Sequence, residues 1–377
     1  MASRGTAKLD SKKCLAARYN SRFCSRCQSV CPAEAITITN NNKNNSEDVI
    51  DKLSCTGCGI CTTVCPLEAI KIKNAPDDKE ILDCVENSIH REGTVVFTCR
   101  QKLTPPSGNQ IGIVKFNCLG QLDVNLLLGC YSRQIKRIII DTSSCEKTCG
   151  PPQGTAVNEH LNNLKGKISR FSEHINQEML LDINPETWKT EEERSSNFSR
   201  RDVFSYFRNE ISNAATDMVQ VAGDNLKDDK PIKGFKKDTV YLPFRRRLFF
   251  QALEDLNITH LPSQLSQLSL KNINKNSCRF CLTCTKVCPT KALKSKIDND
   301  LLKIWHEPFL CVNCRACETT CPEQAIASSS ICYSRDSFQN YEDCHCIYKQ
   351  RKDNCDLCGT LIPENTDQLC FLCRHVG

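Results

Sequence analysis

Four copies of one short phrase constrain this chain more than any other feature of its sequence. Each copy is a cysteine followed by a proline and a small turn: CPAEAI from Cys31, CPLEAI from Cys65, CPTKAL from Cys288 and CPEQAI from Cys321. The copies form two pairs near the ends of a 377-residue chain, and no cysteine lies between Cys149 and Cys278. The repetition predicts two similar cysteine-bearing modules on either side of a cysteine-poor middle.

The 29 cysteines of the chain stand mostly in groups with two or three residues between neighbours. Such spacing lets a metal gather thiolates from one loop, whereas disulfide frameworks are typical of short secreted chains. The N-terminal residues contain no apolar run that would serve as a signal peptide, and no later segment is long and apolar enough to predict a membrane span. We therefore expect a cytoplasmic protein with reduced thiols.

The second pair of repeats belongs to two complete C-x2-C-x2-C-x3-C-P motifs, CRFCLTCTKVCP and CVNCRACETTCP. This is the ligand run of bacterial iron–sulfur proteins, in which three close cysteines hold one cluster and the fourth ligates the other. Residues 277–327 therefore resemble a bacterial-type two-cluster ferredoxin. The resemblance implies one [4Fe-4S] cluster on Cys278, Cys281, Cys284 and Cys321, and another on Cys311, Cys314, Cys317 and Cys288. Two zinc sites are the alternative, although zinc ribbons normally pair two C-x2-C knuckles.

The first pair of repeats follows the same design with one departure. CTGCGICTTVCP is complete, and the same resemblance, over about residues 10–75, implies a cluster on Cys55, Cys58, Cys61 and Cys31. Its partner would use Cys24, Cys27 and Cys65. Ser21 stands where the first thiolate of the motif belongs, and its oxygen is a harder donor than the sulfur that iron–sulfur clusters select. We expect Cys14 to fold back and fill this corner; a three-iron cluster, or water or Ser21 on the fourth iron, is the alternative.

Between about residues 84 and 165, strand-like apolar runs such as GTVVFTC and IGIVKFNC alternate with LDVNLLLGC and predict a small α/β domain. With FTC, the prolines at 105–106, NCLGQLD and a closing C-x3-C, residues 94–155 resemble the delta subunit of methyl-viologen-reducing hydrogenase. The resemblance implies a [2Fe-2S] centre on Cys99, Cys118, Cys145 and Cys149. Lys102 stands where the family has a further cysteine. The alternative is that these cysteines only pack as small apolar groups. Cys84 and Cys130 receive no assignment.

The C-terminal stretch contains two C-x2-C knuckles, formed by Cys355, Cys358, Cys370 and Cys373. Two knuckles joined by a short turn present four thiolates tetrahedrally to zinc, and so short a tail needs a metal in place of a core. We expect one structural zinc ion here, with a further iron–sulfur cluster as the alternative. Cys344, His345 and Cys346 lie nearby with a spacing that is not diagnostic.

These patterns predict an α+β chain in five parts. They are a ferredoxin-like dicluster module at 10–75, a small α/β domain at 84–165, a charged helical connector at 171–270, a second dicluster module at 271–330 and a zinc-ribbon-like tail at 340–377. Within the connector, the run Arg245–Arg246–Arg247 is interpreted as a solvated face or docking surface rather than an anion site.

The net charge of +6 counts every cysteine as neutral. A cubane on four thiolates carries about −2 when oxidised, so four cubanes would bring the balance to about −2. The basic residues therefore offset bound clusters, and nucleic acid is not the predicted partner.

The sequence has no nucleotide-binding glycine loop, zinc-protease motif or serine nucleophile elbow. Clusters saturated by four cysteines leave no open iron for a substrate, which favours electron transfer. We expect a non-catalytic, polyferredoxin-like subunit of an oxidoreductase that relays single electrons between redox partners. By family analogy these are a dehydrogenase, a hydrogenase or a heterodisulfide-reductase-type complex. The alternatives are a scaffold, assembly factor or redox sensor with structural clusters, and an enzyme with a substrate site in residues 84–165.

Overall fold

In a computed structural model of the chain, the described residues are 5–19, 24–38, 49–87, 93–99, 112–143, 145, 149–184, 242–336, 346–364 and 368–376. Within them the protein is a mixed α/β structure with several small sheets. Some predictions fall on residues outside these ranges, namely those for Ser21, Lys102, the prolines at 105–106, Cys344, His345 and the connector between 185 and 241.

The described helices range from single turns to the 23-residue α6. They are α1 (Leu15–Arg18), α2 (Arg26–Ser29), α3 (Ile60–Thr63), α4 (Asp78–Asn87), α5 (Val124–Tyr131), α6 (Gln153–Ile175), α7 (Phe244–Asp255), α8 (Thr283–Val287), α9 (Ala316–Thr319) and α10 (Phe371–Val376). The described strands are β1 (Ala7–Leu9), β2 (Ile70–Ile72), β3 (Thr94–Cys99), β4 (Gly112–Phe116), β5 (Arg137–Asp141), β6 (Leu180–Ile183), β7 (His260–Leu261), β8 (Leu268–Ile273), β9 (Leu293–Asp298), β10 (Leu301–His306), β11 (Ile326–Ile331), β12 (Tyr333–Ser334), β13 (Cys346–Asn354) and β14 (Leu361–Pro363).

The first cysteine module is closed by its own two ends. β1 pairs antiparallel with β2, so that Leu9 lies opposite Ile70. Alternate residues on both strands are buried, as expected when one face of a strand pair packs inward. The inward side chains share an apolar cluster with Cys27 and Cys61. The sheet therefore forms one wall around the cysteine-bearing loops.

The second module repeats this plan and extends it. β8 pairs antiparallel with β11, with Ile273 opposite Ile326, and β9 and β10 form a hairpin. The tail adds two strands to that hairpin, giving a four-stranded sheet in the order β14-β13-β10-β9. The tail is therefore joined to the second module through the pairing of β13 with β10.

A four-stranded parallel sheet, in the order β4-β3-β5-β6, forms the middle of the chain. Its central strand β3 is buried along almost its whole length, as is usual for parallel strands covered by helices. The sheet extends to β6, beyond the predicted end of this domain at 165. Cys99 is the last residue of β3, and Cys118 and Cys145 follow the carboxyl ends of β4 and β5. This is the edge of a parallel sheet where ligands usually bind.

Helix α7 packs against α5 and lies in one apolar core with the parallel sheet, with Phe309 of the second module and with Tyr333 of β12. The prediction of a solvated or docking Arg245–Arg246–Arg247 run is wrong for its first two residues. The Arg245 side chain is 12 % exposed, and Arg246 is 7 % exposed. Arg245 pairs with carboxylates, and Arg246 donates to backbone carbonyl oxygens, of residues elsewhere in the chain, which a sequence pattern does not reveal.

Candidate iron–sulfur and metal sites

Two cavities in the second module are each lined by four cysteines. Set C is Cys288, Cys311, Cys314 and Cys317, around about 310 Å³ of space that is partly open to solvent. Set D is Cys278, Cys281, Cys284 and Cys321, around about 370 Å³ of space that is also partly open to solvent. In each set the close triplet comes from one motif and the fourth cysteine from the Cys-Pro phrase of the other. The structure thus brings together the groups that the ferredoxin resemblance implies.

The first module groups its cysteines in the same way. Set A is Cys31, Cys55, Cys58 and Cys61, and set B is Cys14, Cys24, Cys27 and Cys65. In set B, burial and then the charges of the other three cysteines raise the pKa of the Cys27 thiol to about 12. In set A, burial and then the charges of neighbouring cysteines, led by Cys58, raise the pKa of Cys61. The members of each set are therefore close enough to act on one another.

The repeated Cys-Pro phrase forms the same turn in all four copies. The residue three positions after the cysteine has a left-handed backbone in every copy, with φ of 49°, 50°, 56° and 48° at Glu34, Glu68, Lys291 and Gln324. In two of the copies the N–H of the next residue donates to the cysteine sulfur, from Ala69 to Cys65 at 3.2 Å and from Ala325 to Cys321 at 3.3 Å. Such N–H donors stabilise a thiolate and contribute to the potential of a cluster.

Cys14 occupies the position in the first module that Cys278 occupies in the second. The N–H of Asp10 donates to the carbonyl of Ala69 at 2.7 Å, and the Cys14 N–H donates back to the Asp10 carbonyl at 3.0 Å. In the second module, Asn274 donates to Ala325 at 2.8 Å, and Cys278 donates to Asn274 at 3.0 Å. Both cysteines therefore follow equivalent strands at the same distance along the chain, and α1 lies in the longer loop that separates Cys14 from Cys24.

The donor chemistry of these sets fits iron. Burial is the first cause that raises the pKa of Cys284 to about 12 and of Cys314 to about 11. Four such thiols give up their protons together only when a cation compensates the charge, and a coordinating metal deprotonates its thiol ligands outright. Thiolates are also the usual ligands of iron–sulfur clusters.

A buried ammonium group lies beside set C. Lys271 is 1 % exposed, and its Nζ donates to Glu318 Oε1 at 2.6 Å and also to Ser328 Oγ. Burial lowers the pKa of Lys271, but the Glu318 hydrogen bond and the charges of Cys311 and Cys317 outweigh it, so the net shift is upward. Lys271 therefore remains an ammonium group at the wall of the cavity. The sequence pattern does not predict a role for this residue, because the spacing around it carries no signal.

The middle domain contributes a looser group. Burial raises the pKa of Cys118 to about 12, and the charges of Cys58, Cys149 and Cys99 contribute to the shift. Cys145 is buried at the end of β5, and its carbonyl and the Cys149 Cβ both face Gly154. The structure thus brings Cys99, Cys118 and Cys149 near one another, with Cys145 beside Cys149. Cys130 is fully buried in α5 and Cys84 is exposed on α4.

The loop that carries Cys58 of set A lies directly against the turn that follows Cys118. A Cβ on Gly120 would come 2.6 Å from the Cys58 carbonyl oxygen, and a Cβ on Gly59 would come 2.2 Å from Gln121 Cγ. Real Cβ atoms do not make such contacts, so glycine at both positions allows the close approach. The first module and the middle domain are therefore in backbone contact at their cysteines.

The four tail cysteines, Cys355, Cys358, Cys370 and Cys373, have sulfur atoms that all lie within 4.8 Å of one another. Cys358 Sγ and Cys370 Sγ are 3.6 Å apart. A tetrahedral zinc ion with Zn–S bonds of about 2.3 Å requires sulfur atoms about 3.8 Å apart. Within the described ranges, no other three metal-ligating side chains have their ligand atoms this close. The distances between the tail sulfur atoms fit one ion, whereas the sulfur atoms within each of sets A to D are farther apart.

Two family models match parts of the chain. The LdpA Fe-S cluster-binding domain matches residues 22–75, and the 4Fe-4S binding domain matches residues 271–294. The first match begins after Cys14. The chain matches no curated protein and no solved structure. The prediction of an iron–sulfur protein with [4Fe-4S]-binding domains is confirmed. The resemblance to the hydrogenase delta subunit stays a prediction. Among the described helices, none has the length and apolar character to cross a bilayer.

Proposed function

We propose that this protein relays single electrons between redox partners through four [4Fe-4S] clusters, held by sets A, B, C and D. A cubane with four thiolate ligands accepts and releases one electron without binding a substrate. The iron–sulfur family matches support the cofactor, and the packing of the four sets into one continuous row supports the relay. The row begins at the middle domain and runs through A, B and C to D.

The contact between the two modules is the observation that carries this proposal. Leu15 and Leu67 of the first module form a buried apolar cluster with Val287 and Ala316 of the second. Cys24 of set B and Cys314 of set C both pack against this cluster. Cysteines from both modules therefore pack against one buried apolar contact. This packing favours electron transfer between the modules over two modules that act independently.

A hydrogen bond reinforces the same contact. Arg26 Nη2 donates to the carbonyl oxygen of Asn313 at 2.7 Å. Arg26 directly precedes Cys27 of set B, and Asn313 directly precedes Cys314 of set C. Sets B and C are therefore linked through covalent bonds and one hydrogen bond.

The other neighbours in the row are also in contact. Cys61 of set A and Cys27 of set B belong to one apolar cluster, as do Cys317 of set C and Cys284 of set D. At one end of the row, Cys58 of set A adjoins Cys118 of the middle domain. At the other end, Cys281 of set D is exposed, so a partner has direct access to this set.

The middle cysteines Cys99, Cys118, Cys145 and Cys149 would hold a [2Fe-2S] centre at the end of this row, as the resemblance to the hydrogenase subunit implies. Their location at the carboxyl edge of the parallel sheet supports this assignment. The same resemblance suggests a dehydrogenase, a hydrogenase or a heterodisulfide-reductase-type complex as the partner. A cytoplasmic location follows from the reducing environment that so many thiols require.

Protein purified without oxygen should contain about sixteen iron atoms per chain from the four cubanes, and more if the middle domain is occupied. We expect low-potential reductants to bleach its visible absorption and to produce EPR signals broadened by neighbouring reduced clusters. Iron and sulfide analysis with EPR measures both outcomes. A protein that binds only zinc, or iron clusters that no reductant reduces, would contradict the relay and favour a scaffold or sensor.

The tail would hold one zinc ion on Cys355, Cys358, Cys370 and Cys373. We expect Cys373→Ser to lower the zinc content from about one ion per chain to near zero, because a structural zinc site normally needs all four ligands. The iron content should not change. Cys332→Ser, which alters an exposed cysteine outside every set, is the matched control. Loss of iron rather than zinc from the Cys373 variant would show that the tail binds a cluster instead.

A further inference from the structure

The charged residues beside set C differ from those beside sets A and D. Lys271 lies on β8, opposite Ser328 of β11, and its three donors all have acceptors in Glu318, Ser328 and Asn313. An ammonium group has three donors and no acceptor, so this arrangement satisfies it in the charged form. Lys271 lines the cavity of set C together with all four cysteines of that set.

The partner of Lys271 does not cancel this charge at the cavity. The Glu318 side chain is 22 % exposed, whereas that of Lys271 is 2 % exposed. Water screens the more exposed carboxylate better than it screens a buried ammonium group. Lys271, and not Glu318, also lines the cavity of set C. The positive end of the ion pair therefore faces the cysteines.

Arg246 adds a second buried cation on the same side. Its Nη2 donates to the carbonyl oxygens of Cys311 at 3.0 Å and Pro308 at 3.2 Å. Lys271 lines the same cavity as Cys311. Set C thus has two buried cations near one of its ligands.

The chain contains two internal comparisons. By strand pairing, Ala7 of the first module occupies the position of Lys271, since Ala7 lies opposite Ile72 and Lys271 lies opposite Ser328. The Ala7 N–H donates to Cys55 Sγ of set A at 3.4 Å, so an uncharged residue lies beside set A. The cavity of set D has mostly apolar walls, with one residue of each sign, Arg279 and Glu323.

We propose that Lys271, together with Arg246, raises the reduction potential of the cluster on set C above those of the clusters on sets A and D. This inference rests on the proposed function, because it requires cubanes on these sets. Reduction adds a negative charge to the cluster, and a fixed buried cation stabilises that charge. Electrons entering from either module would then settle first at set C, beside the contact between the modules.

Two substitutions of opposite effect test this inference by EPR-monitored redox titration of the anaerobic full-length protein. Lys271→Met removes the cation and should lower the reduction potential of one cubane by at least about 59 mV. This shift corresponds to a tenfold change in the equilibrium constant for its reduction. Glu318→Gln keeps Lys271 and removes its counter-charge, so it should raise the potential of the same cubane. The Cys314→Ser variant, which removes a ligand of set C, identifies the signal. Lys294→Met, which breaks the exposed ion pair with Glu307, is the matched control and should change no potential.

The outcomes separate this inference from the function on which it rests. Wild-type protein without reducible four-iron clusters overturns the proposed function. Reducible clusters whose potentials stay the same in both variants, or move in the same direction, overturn the role of Lys271 alone. If Lys271→Met does not fold, an unchanged or lowered potential in Glu318→Gln overturns it as well.

Discussion

Replacement of Cys14 by serine should convert one four-iron cluster into a three-iron cluster, or remove it, and leave the other clusters in place. Cys14 lies where the complete motif of the second module has Cys278, and burial raises the pKa of its thiol although the N–H groups of Ala17 and Ala16 oppose the rise. A hydroxyl oxygen is a poor replacement for a thiolate on iron. The iron content should therefore fall from about sixteen by at least about one atom.

EPR of the oxidised, oxygen-protected Cys14→Ser protein detects this change, because the wild-type cubanes and a three-iron cluster give different signals. Cys84→Ser is the matched control, since Cys84 is exposed on α4 and belongs to no cysteine set. An EPR spectrum and iron content identical to wild type would exclude Cys14 as a ligand and favour Ser21 or water at the fourth corner.

Arg245→Met should destabilise the protein by about 3–5 kcal/mol, the usual cost when one partner of a buried ion pair is removed. Arg245 Nε and Nη2 donate to the two carboxylate oxygens of Asp78 at 2.6 and 2.9 Å, and Nη1 lies 3.1 Å from Asp123. The backbone N–H groups of Phe244 and Arg245 donate to Glu68. The arginine thus joins the first module, α4 and the middle domain, and its loss leaves buried carboxylates without a counter-charge.

The effect of Arg245→Met should depend on pH. Burial raises the pKa of Asp123, and Arg245 opposes the rise. Without the arginine the folded-state pKa rises further above its unfolded value. A carboxyl of this kind contributes stability below its unfolded pKa, and that contribution is lost as the pH rises through the folded pKa. The gap between variant and wild type should therefore widen from pH 5 to pH 8.

The midpoint of urea unfolding, followed anaerobically by circular dichroism, measures this difference. Arg137→Met is the matched control, because Arg137 forms a half-exposed ion pair with Asp182 on the same domain. Its loss should cost no more than about 1 kcal/mol. Equal shifts for the two variants would mean that the buried network around Arg245 adds no stability.

The cysteine groups could be predicted from the sequence because their spacing is local. Three cysteines within seven residues must face one loop, and the repeated Cys-Pro phrase indicates where the fourth one comes from. The first ligand position of set B was harder to predict, since Cys14 is separated from Cys24 by an inserted loop. The strand pairing of β1 with β2 reveals its equivalence to Cys278, and this pairing joins residues about sixty positions apart.

The charged residues near the sites could not be predicted in this way. The run Arg245–Arg246–Arg247 is typical of a solvated basic face, yet Arg245 finds its partners Asp78 and Asp123 more than a hundred residues earlier. Lys271 likewise owes its burial to Glu318 and Ser328 on elements far along the chain. Burial of a charge depends on such tertiary partners, which spacing within one segment does not encode.

The strand β13 has a consequence for self-association. It covers the side of β10 that faces away from β9, from Leu301 opposite Arg351 to Trp305 opposite Cys346. An uncovered β10 would be an edge strand, and edge strands with free N–H and C=O groups are templates for pairing with other chains. The tail therefore moves the edge of this sheet from β10 to β13 and β14, and loss of the tail would leave the backbone groups of β10 open to pairing with another chain.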